Sequence, residues 1–117
     1  MKVSKLLVGL FACAISLGAY APDVAAQRAC ERVAAGFTTI KVKVGTGPEL
    51  DVQRVQAVRE AIGPQHHRTI DANGGWDDAQ ARYCLQRIAD CNVELVEQPL
   101  PRGSYADLRK LRRDTGI

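Results

Sequence analysis

Two lysines and two carboxylates stand near the ends of three short apolar runs in this chain. The runs are Ile40-Lys41-Val42-Lys43-Val44-Gly45, Thr69-Ile70-Asp71-Ala72-Asn73-Gly74 and Val93-Glu94-Leu95-Val96-Glu97-Gln98-Pro99. Lys41, Lys43, Asp71, Asn73 and Glu97 are the candidate site residues. Carboxylate oxygens from separate strands, with room for water and a substrate oxygen, suit a hard divalent cation such as magnesium. Two carboxylates are few for a catalytic magnesium site, so a third ligand is expected. An inward lysine beside a bound cation and a second lysine holds its proton less tightly, which makes it a general base near neutral pH.

The elements that must position these groups follow from the spacing. Phe37 to Val44 reads as a strand in which Ile40, Val42 and Val44 point one way and Lys41 and Lys43 the other. In a parallel α/β barrel the apolar set would face the outer helices and the lysines would point inward near the carboxyl end, where such barrels place their chemistry. A solvated edge strand would show the same alternation. Arg68 to Ala72 is the next strand, with Asp71 and Asn73 on one face by the period of two. Val93 to Glu97 is another, stopped by Pro99 and Pro101. Ile40, Ile70 and Val96 lie 30 and 26 residues apart, about the length of one βα unit. Right-handed crossovers then put all strand carboxyl ends on one side. The count is four βα units, the first half of a partial (β/α)8 TIM barrel; a whole barrel takes roughly 250 residues and this chain has 117.

Between the strands the spacing is helical. Pro22 and Asp23 suit a helix start, the stripe Val24, Ala25, Ala29, Cys30, Val33 and Ala34 follows, and Gly36 is the C-cap. Leu50, Val52, Val55, Val58 and Ile62 mark the second helix, which ends at Gly63-Pro64. Trp76-Asp77-Asp78 opens the third, with Ala81, Cys84, Leu85 and Ile88 buried. Tyr105, Leu108 and Leu111 mark a fourth, basic helix, and Thr115-Gly116-Ile117 reads as a turn toward a fifth strand. His66 and His67 fall in a loop as surface residues, with no carboxylate or cysteine at ligand spacing nearby.

Composition sets bounds. With 46% hydrophobic and 25% charged residues the chain is of the ordinary globular class. A net charge of +3, evenly spread, argues against nucleic acid as a partner, and the run Arg109 to Arg113 reads as a solvated helix face. Cys13, Cys30, Cys84 and Cys91 form no C-x-x-C pair; Cys30 and Cys84 fall on apolar helical stripes as small buried hydrophobes. Lys2 and Lys5 before the apolar run Leu6 to Ile15, with Val24-Ala25-Ala26 as a cleavage site, match a secretory signal peptide over residues 1–26. The preferred expectation makes Val8 to Ser16 the first strand, because Pro22 onward continues unbroken into the repeat and cleavage after Ala26 would cut the first helix. The run is too short to cross a bilayer, which takes about 20 apolar residues. The expected location is therefore the cytoplasm, with secretion or the periplasm as the alternative.

The three blocks, in this order and spacing, resemble the barrel domain of the enolase superfamily, and within it the mandelate racemase/muconate lactonizing enzyme group. The segment Asp51, Arg54-Val55, Ala57-Val58-Arg59-Glu60 and Gly63-Pro64 resembles the same family's second helix. The likeness covers at least Pro22 to Ile117, so residues 1–117 are expected to be one partial barrel domain, with 1–21 as first strand or signal peptide and 22–117 as well-matched βα units. The resemblance implies that Asp71 and Glu97 are magnesium ligands, that Asn73 sits beside the metal, and that Lys43 is the acid/base acting on the proton alpha to a substrate carboxylate. Lys41 would contact that carboxylate or lower the proton affinity of its neighbour. It also implies parts this chain lacks: a third metal ligand at the end of a fifth strand, an opposing acid/base on a later strand, and an N-terminal capping domain.

Two functional expectations follow. In the first, the chain is a fragment of a magnesium-dependent isomerase or lyase acting on a small carboxylate substrate, of racemase, epimerase, cycloisomerase or dehydratase type, with little activity alone. In the second, it is a non-catalytic remnant that folds only by association, since a half barrel has two unpaired strand edges through which copies self-associate. By resemblance, Gln98 leans toward the muconate lactonizing and epimerase side.

Overall fold

Alternation along the strands decides the architecture. Ile40, Val42, Ile70 and Ala72 are fully buried, while Lys41 and Lys43 between them are only partly covered. The computed structural model describes residues 14–117. Its four strands are β1 (Ala14–Leu17), β2 (Thr39–Lys43), β3 (His67–Asp71) and β4 (Val93–Glu97), all parallel and adjacent in chain order. Each is followed by a helix: α1 (Pro22–Ala34), α2 (Pro48–Ile62), α3 (Asp78–Arg87) and α4 (Tyr105–Thr115), with a 3-10 turn at Ala89–Cys91 before β4. These are the four expected βα units of a partial barrel.

Paired residues on parallel neighbours share a face. One row runs Leu17, Val42, Ile70, Val96 and turns toward the helices. There it meets Ala25 and Ala29 of α1, Val52, Val55, Val58 and Ile62 of α2, and Ala81, Cys84 and Leu85 of α3 in one core. The small alanines of α1 let it lie close to α2. Local signals set the helix ends. Asp77 caps α3 by accepting from the Gln80 N–H at 2.8 Å, and the Gln80 side chain accepts from the Asp77 N–H at 3.0 Å. The C-cap of α1 is Ala35; Gly36 sits one residue later at φ +100°, where a side chain would be strained.

Several expectations need correction. The helix period of α2 and α4 is right, but Leu50, Leu108 and Tyr105 are exposed, the last by 71%. In α2 the inward place beside Leu50 belongs to Asp51, which is buried. In α4 only Leu111 reaches the core; Leu108 flanks a groove of about 400 Å³ that it shares with Leu95, Val96, Pro99 and Ile117 along the outer edge of β4. Cys84 is buried as expected, and burial pushes its thiol up to about 12, but Cys30 is exposed, on the rim of the α1–α2 contact with its sulfur 3.7 Å from the Ala61 carbonyl oxygen. His67 begins β3 instead of lying in the loop, and β4 brings the Glu94 carboxylate against its Nδ1 from 27 residues away. Among the described residues no three His, Cys, Asp or Glu side chains are grouped to hold a metal, there or elsewhere. The basic stretch of α4 is solvated, as expected.

A strand lies at Ala14–Leu17, overlapping the last three residues of the expected Val8 to Ser16; Cys13, the rest of that stretch and most of the signal-peptide segment lie outside the described residues, and Val24 to Ala26 lie inside α1. Among the described residues no helix is long and apolar enough to cross a membrane.

Ile70 is fully buried at the centre of the sheet, between Val42 and Val96. Ile70→Ala is expected to destabilise the fold by about 2–5 kcal/mol, whereas Tyr105→Ala is expected to change stability by no more than about 0.5 kcal/mol, both measured by urea denaturation.

Candidate active site

The second row of the sheet carries the polar groups. Lys43 pairs with Asp71, and Asp71 pairs with Glu97, at the carboxyl ends of β2, β3 and β4. Lys41, Thr69 and Leu95 form the row beneath. This face is opposite the helices, and Leu95 on it is 54% exposed. Opposite charges close on one another here. Lys43 Nζ donates to Asp71 Oδ2 at 3.0 Å and to Asn73 Oδ1 at 2.9 Å, and Lys41 Nζ donates to Glu97 Oε2 at 2.5 Å. All five candidate residues therefore stand together at one rim.

Asn73 arrives by a different route from the one its spacing suggests. The strand ends at Asp71, and Asn73 has φ +48°, in the left-handed region that Asn tolerates. Its own N–H donates to Asp71 Oδ1 at 2.9 Å, a local turn that aims its side chain at Lys43.

The electrostatics follow from these contacts. The Asp71 side chain is only 6% exposed. Burial opposes its charge, but the hydrogen bonds from Lys43 and the Asn73 N–H prevail and hold its carboxyl below the ordinary 3.8. The hydrogen bond to Glu97 raises Lys41 above the usual lysine value, so Lys41 is a firm cation in this arrangement.

Three residues that sequence patterning missed support the rim from behind. Asp51 and Arg54, in the first two turns of α2, are both 1% exposed and joined at 2.8 Å. Asp51 also accepts from the backbone N–H groups of Gly45, Thr46 and Gly47, from the Thr46 hydroxyl, and from Trp76 Nε1 at 2.9 Å. Arg54 donates to the carbonyl oxygens of Tyr20 at 2.5 Å and Lys43 at 3.1 Å. Charged residues in a helix read as solvent-facing by pattern alone; the signal that was present is that Asp51 and Arg54 fall within the segment carrying the family likeness. The turns after β2 and β3 also touch backbone to backbone. A Cβ on Gly45 would lie 2.2 Å from the Ala72 carbonyl oxygen, and one on Gly75 would lie 2.4 Å from that of Gly45.

The family model for the enolase C-terminal domain-like family matches residues 24–117. This chain belongs to the enolase superfamily. The hydrophobic dipeptide epimerase of Enterococcus faecalis is 46% identical over 95 residues, which are 81% of this chain and 27% of that protein. The L-Ala-D/L-Glu epimerase of Clostridium acetobutylicum is 32% identical over 88% of this chain and 29% of its own length. The crystal structure of the Enterococcus faecalis dipeptide epimerase with Mg and the dipeptide L-Leu-L-Tyr superposes with a TM-score of 0.81 at 44% identity, over 84% of this chain and 28% of that one. The chain thus spans little more than a quarter of these relatives, among which epimerases, racemases and cycloisomerases recur.

The donor chemistry fits magnesium, which the crystal structures of the Enterococcus faecalis and Cytophaga hutchinsonii dipeptide epimerases hold. Asp71, Glu97 and Asn73 offer hard oxygens from adjacent strand ends, the kind of ligand Mg²⁺ takes, with water completing its shell. The described residues supply two carboxylates and not the expected third.

Because the hydrogen bonds that Asp51 accepts outweigh its burial, its carboxyl lies below the ordinary 3.8. A depressed carboxylate contributes stability that is full above the unfolded value and is lost as pH falls through the folded one. Asp51→Asn is expected to cost about 3–5 kcal/mol near neutral pH, as for a broken buried pair. The gap to the parent should narrow below pH 3.8, checked by urea denaturation across a pH series.

Proposed function

We propose that this chain carries the metal-binding and proton-abstracting half of an enolase-superfamily active site, acting on a small carboxylate substrate of the dipeptide class by epimerisation. The observation that carries the proposal is the row Lys43, Asp71, Glu97 on three parallel strand ends, with Lys41 one step below. In this proposal Asp71 and Glu97 hold Mg²⁺, with Asn73 beside it. When bound, the ion supplies positive charge against the negative charge that develops as an α-proton leaves. Lys43, as the neutral amine, takes that proton at Nζ and returns it. Lys41 keeps its charge and meets the substrate carboxylate. The Asn73 side chain holds the Lys43 amine in place, a contact that the Asp71 carboxylate shares in the arrangement described above. Residues 1–117 then form part of one barrel domain, and the remaining strands of such a barrel complete the site.

The dipeptide class rests on the two epimerases at 46% and 32% identity. It is tested with a chimaera in which this chain's matched segment replaces the corresponding quarter of the Enterococcus faecalis epimerase. The chimaera is expected to exchange the α-proton of L-Leu-L-Tyr with solvent deuterium, followed by NMR, and Lys43→Ala is expected to lower that exchange by about 10²-fold or more. Unchanged exchange in the variant would remove Lys43 as the base. In the chain itself Asp71→Asn is expected to weaken Mg²⁺ binding at least tenfold by calorimetry.

A second reading, that the chain is a non-catalytic remnant folding by association, has one observation in its favour. Leu95, Leu108, Tyr105 and Ile117 are exposed along or near the outer edge of β4, and no further strand pairs with that edge among the described residues. Sedimentation velocity is expected to show concentration-dependent association that Leu95→Lys reduces; a monomer at all concentrations would count against it.

A further inference from the structure

The Asp51–Arg54 pair is expensive to bury and its hydrogen bonds are distributed unevenly. An ion pair out of water often contributes no more stability than apolar residues of the same volume. If its purpose were only to hold α2 on the sheet, contacts along the helix would suffice, and Val52, Val55, Val58 and Ile62 already supply them. Instead its partners outside α2 lie in the turns that follow three strands. Arg54 Nε reaches the Tyr20 carbonyl after β1 and Nη1 reaches the Lys43 carbonyl at the end of β2. Asp51 takes the N–H groups of Gly45 to Gly47 after β2, and Trp76 Nε1 after β3. Trp76 is itself buried.

The contact to Lys43 is the decisive one. The β2–β3 ladder continues through the Val44 N–H, which donates to the Asp71 carbonyl at 2.9 Å. The Lys43 carbonyl points the other way, and Arg54 takes it up. Rotation of the peptide plane after Lys43 would swing the root of its side chain away from Asp71. Lysine has four rotatable side-chain bonds, so its ammonium is well placed only when both the backbone root and the charged tip are fixed. Asp71 and Asn73 fix the tip. We propose that the buried Asp51–Arg54 pair, with Trp76, is a positioning device that fixes the root of Lys43 and so holds its amine in the row with Asp71 and Glu97. The proposal rests on the assignment of Lys43 as the acid/base for its functional meaning, but its geometry is testable without that assignment. A misplacement of about 1 Å at a reacting group can cost on the order of 10²-fold in rate, so such a device matters for turnover even where it adds little to stability.

The test is NMR of this chain labelled at lysine and asparagine, reading the nuclear Overhauser effect between the Lys43 ε-methylene and the Asn73 side chain. Arg54→Lys keeps the charge and loses the fork; Trp76→Phe keeps an aromatic ring, a smaller one, and loses one donor to Asp51. Val58→Ala, a core cavity outside the device, is the control for general loosening. The expected result is a cross-peak present in the parent and in Val58→Ala, and weakened at least threefold in Arg54→Lys and in Trp76→Phe. Should Arg54→Lys fail to fold, Trp76→Phe carries the reading. An unchanged cross-peak in the folded variants, or equal loss in Val58→Ala, overturns the proposal. Mg²⁺ calorimetry on the parent separates the two ideas. Absence of binding with the cross-peak still following Arg54 sinks the metal site and leaves the positioning device standing. Binding with an indifferent cross-peak does the reverse.

Discussion

Parallel register is the constraint on which the rest depends. Because β2, β3 and β4 run the same way and pair Lys43 with Asp71 and Asp71 with Glu97, residues 26 to 28 positions apart in the chain come to neighbouring places on one face. A slip of one residue in either pairing would turn a carboxylate toward the helices and a valine or isoleucine toward the rim. The apolar row Leu17, Val42, Ile70, Val96 guards against that slip, since a one-residue shift would take its members out from under α1, α2 and α3. The core and the rim are thus two faces of the same decision.

Much of this was legible in the sequence. The alternation in Ile40-Lys41-Val42-Lys43-Val44 told the buried face from the polar one, and the 30- and 26-residue intervals gave the unit length. Strand Val93–Glu97 and the α3 stripe Ala81, Cys84, Leu85, Ile88 were found at their observed places. What periodicity could not show is where a helix face meets an open edge. Leu108 and Tyr105 have the spacing of buried residues, but the strand that α4 covers has no neighbour beyond it among the described residues, so their apolar surface stays in water. Nor does periodicity reveal a buried charge. Asp51 is inward in place of Leu50 because six hydrogen-bond donors await it; one is Arg54 on the same helix, and the other five come from a turn and a tryptophan that no helical pattern connects. His67 and Glu94 met for a related reason: the partner lies on another strand.

The two ends of the sheet use charge in different ways. At the amino-terminal end Arg68 is buried on the helix side and donates to the carbonyls of Cys91, Gly63 and His66, closing the turns that lead into β3 and β4. Among the described residues its hydrogen-bond partners are backbone oxygens, and burial, with the nearby Arg59 charge, lowers its proton affinity more than Cys91 and Glu94 raise it. At the carboxyl end Arg54 does similar work but is paired with Asp51, and the charged groups beyond it face an open surface. A structural cation therefore suffices to tie one end, whereas the other spends two buried charges on turns that border Lys43, as expected where small displacements matter more than bulk stability.

The rim is electrically balanced as it stands. Lys41 and Lys43 carry two positive charges, Asp71 and Glu97 two negative ones, and each lysine closes on one carboxylate. A neutral site attracts no particular ion. If a divalent cation occupies the carboxylate oxygens, as proposed, it competes with both ammonium groups for them. The same four side chains would then carry a net charge of about +2 with the ion included, and the lysine tips would be free to meet a substrate group. An anionic carboxylate is the ligand such a site would draw in, and it would arrive beside an amine no longer held by Asp71. In the ion pairs seen here the carboxylates and amines mask one another. The backbone anchoring of Lys43 by Arg54 matters most at the moment that mask is lifted, because the tip of the side chain then loses one of its two holds while the root keeps its own.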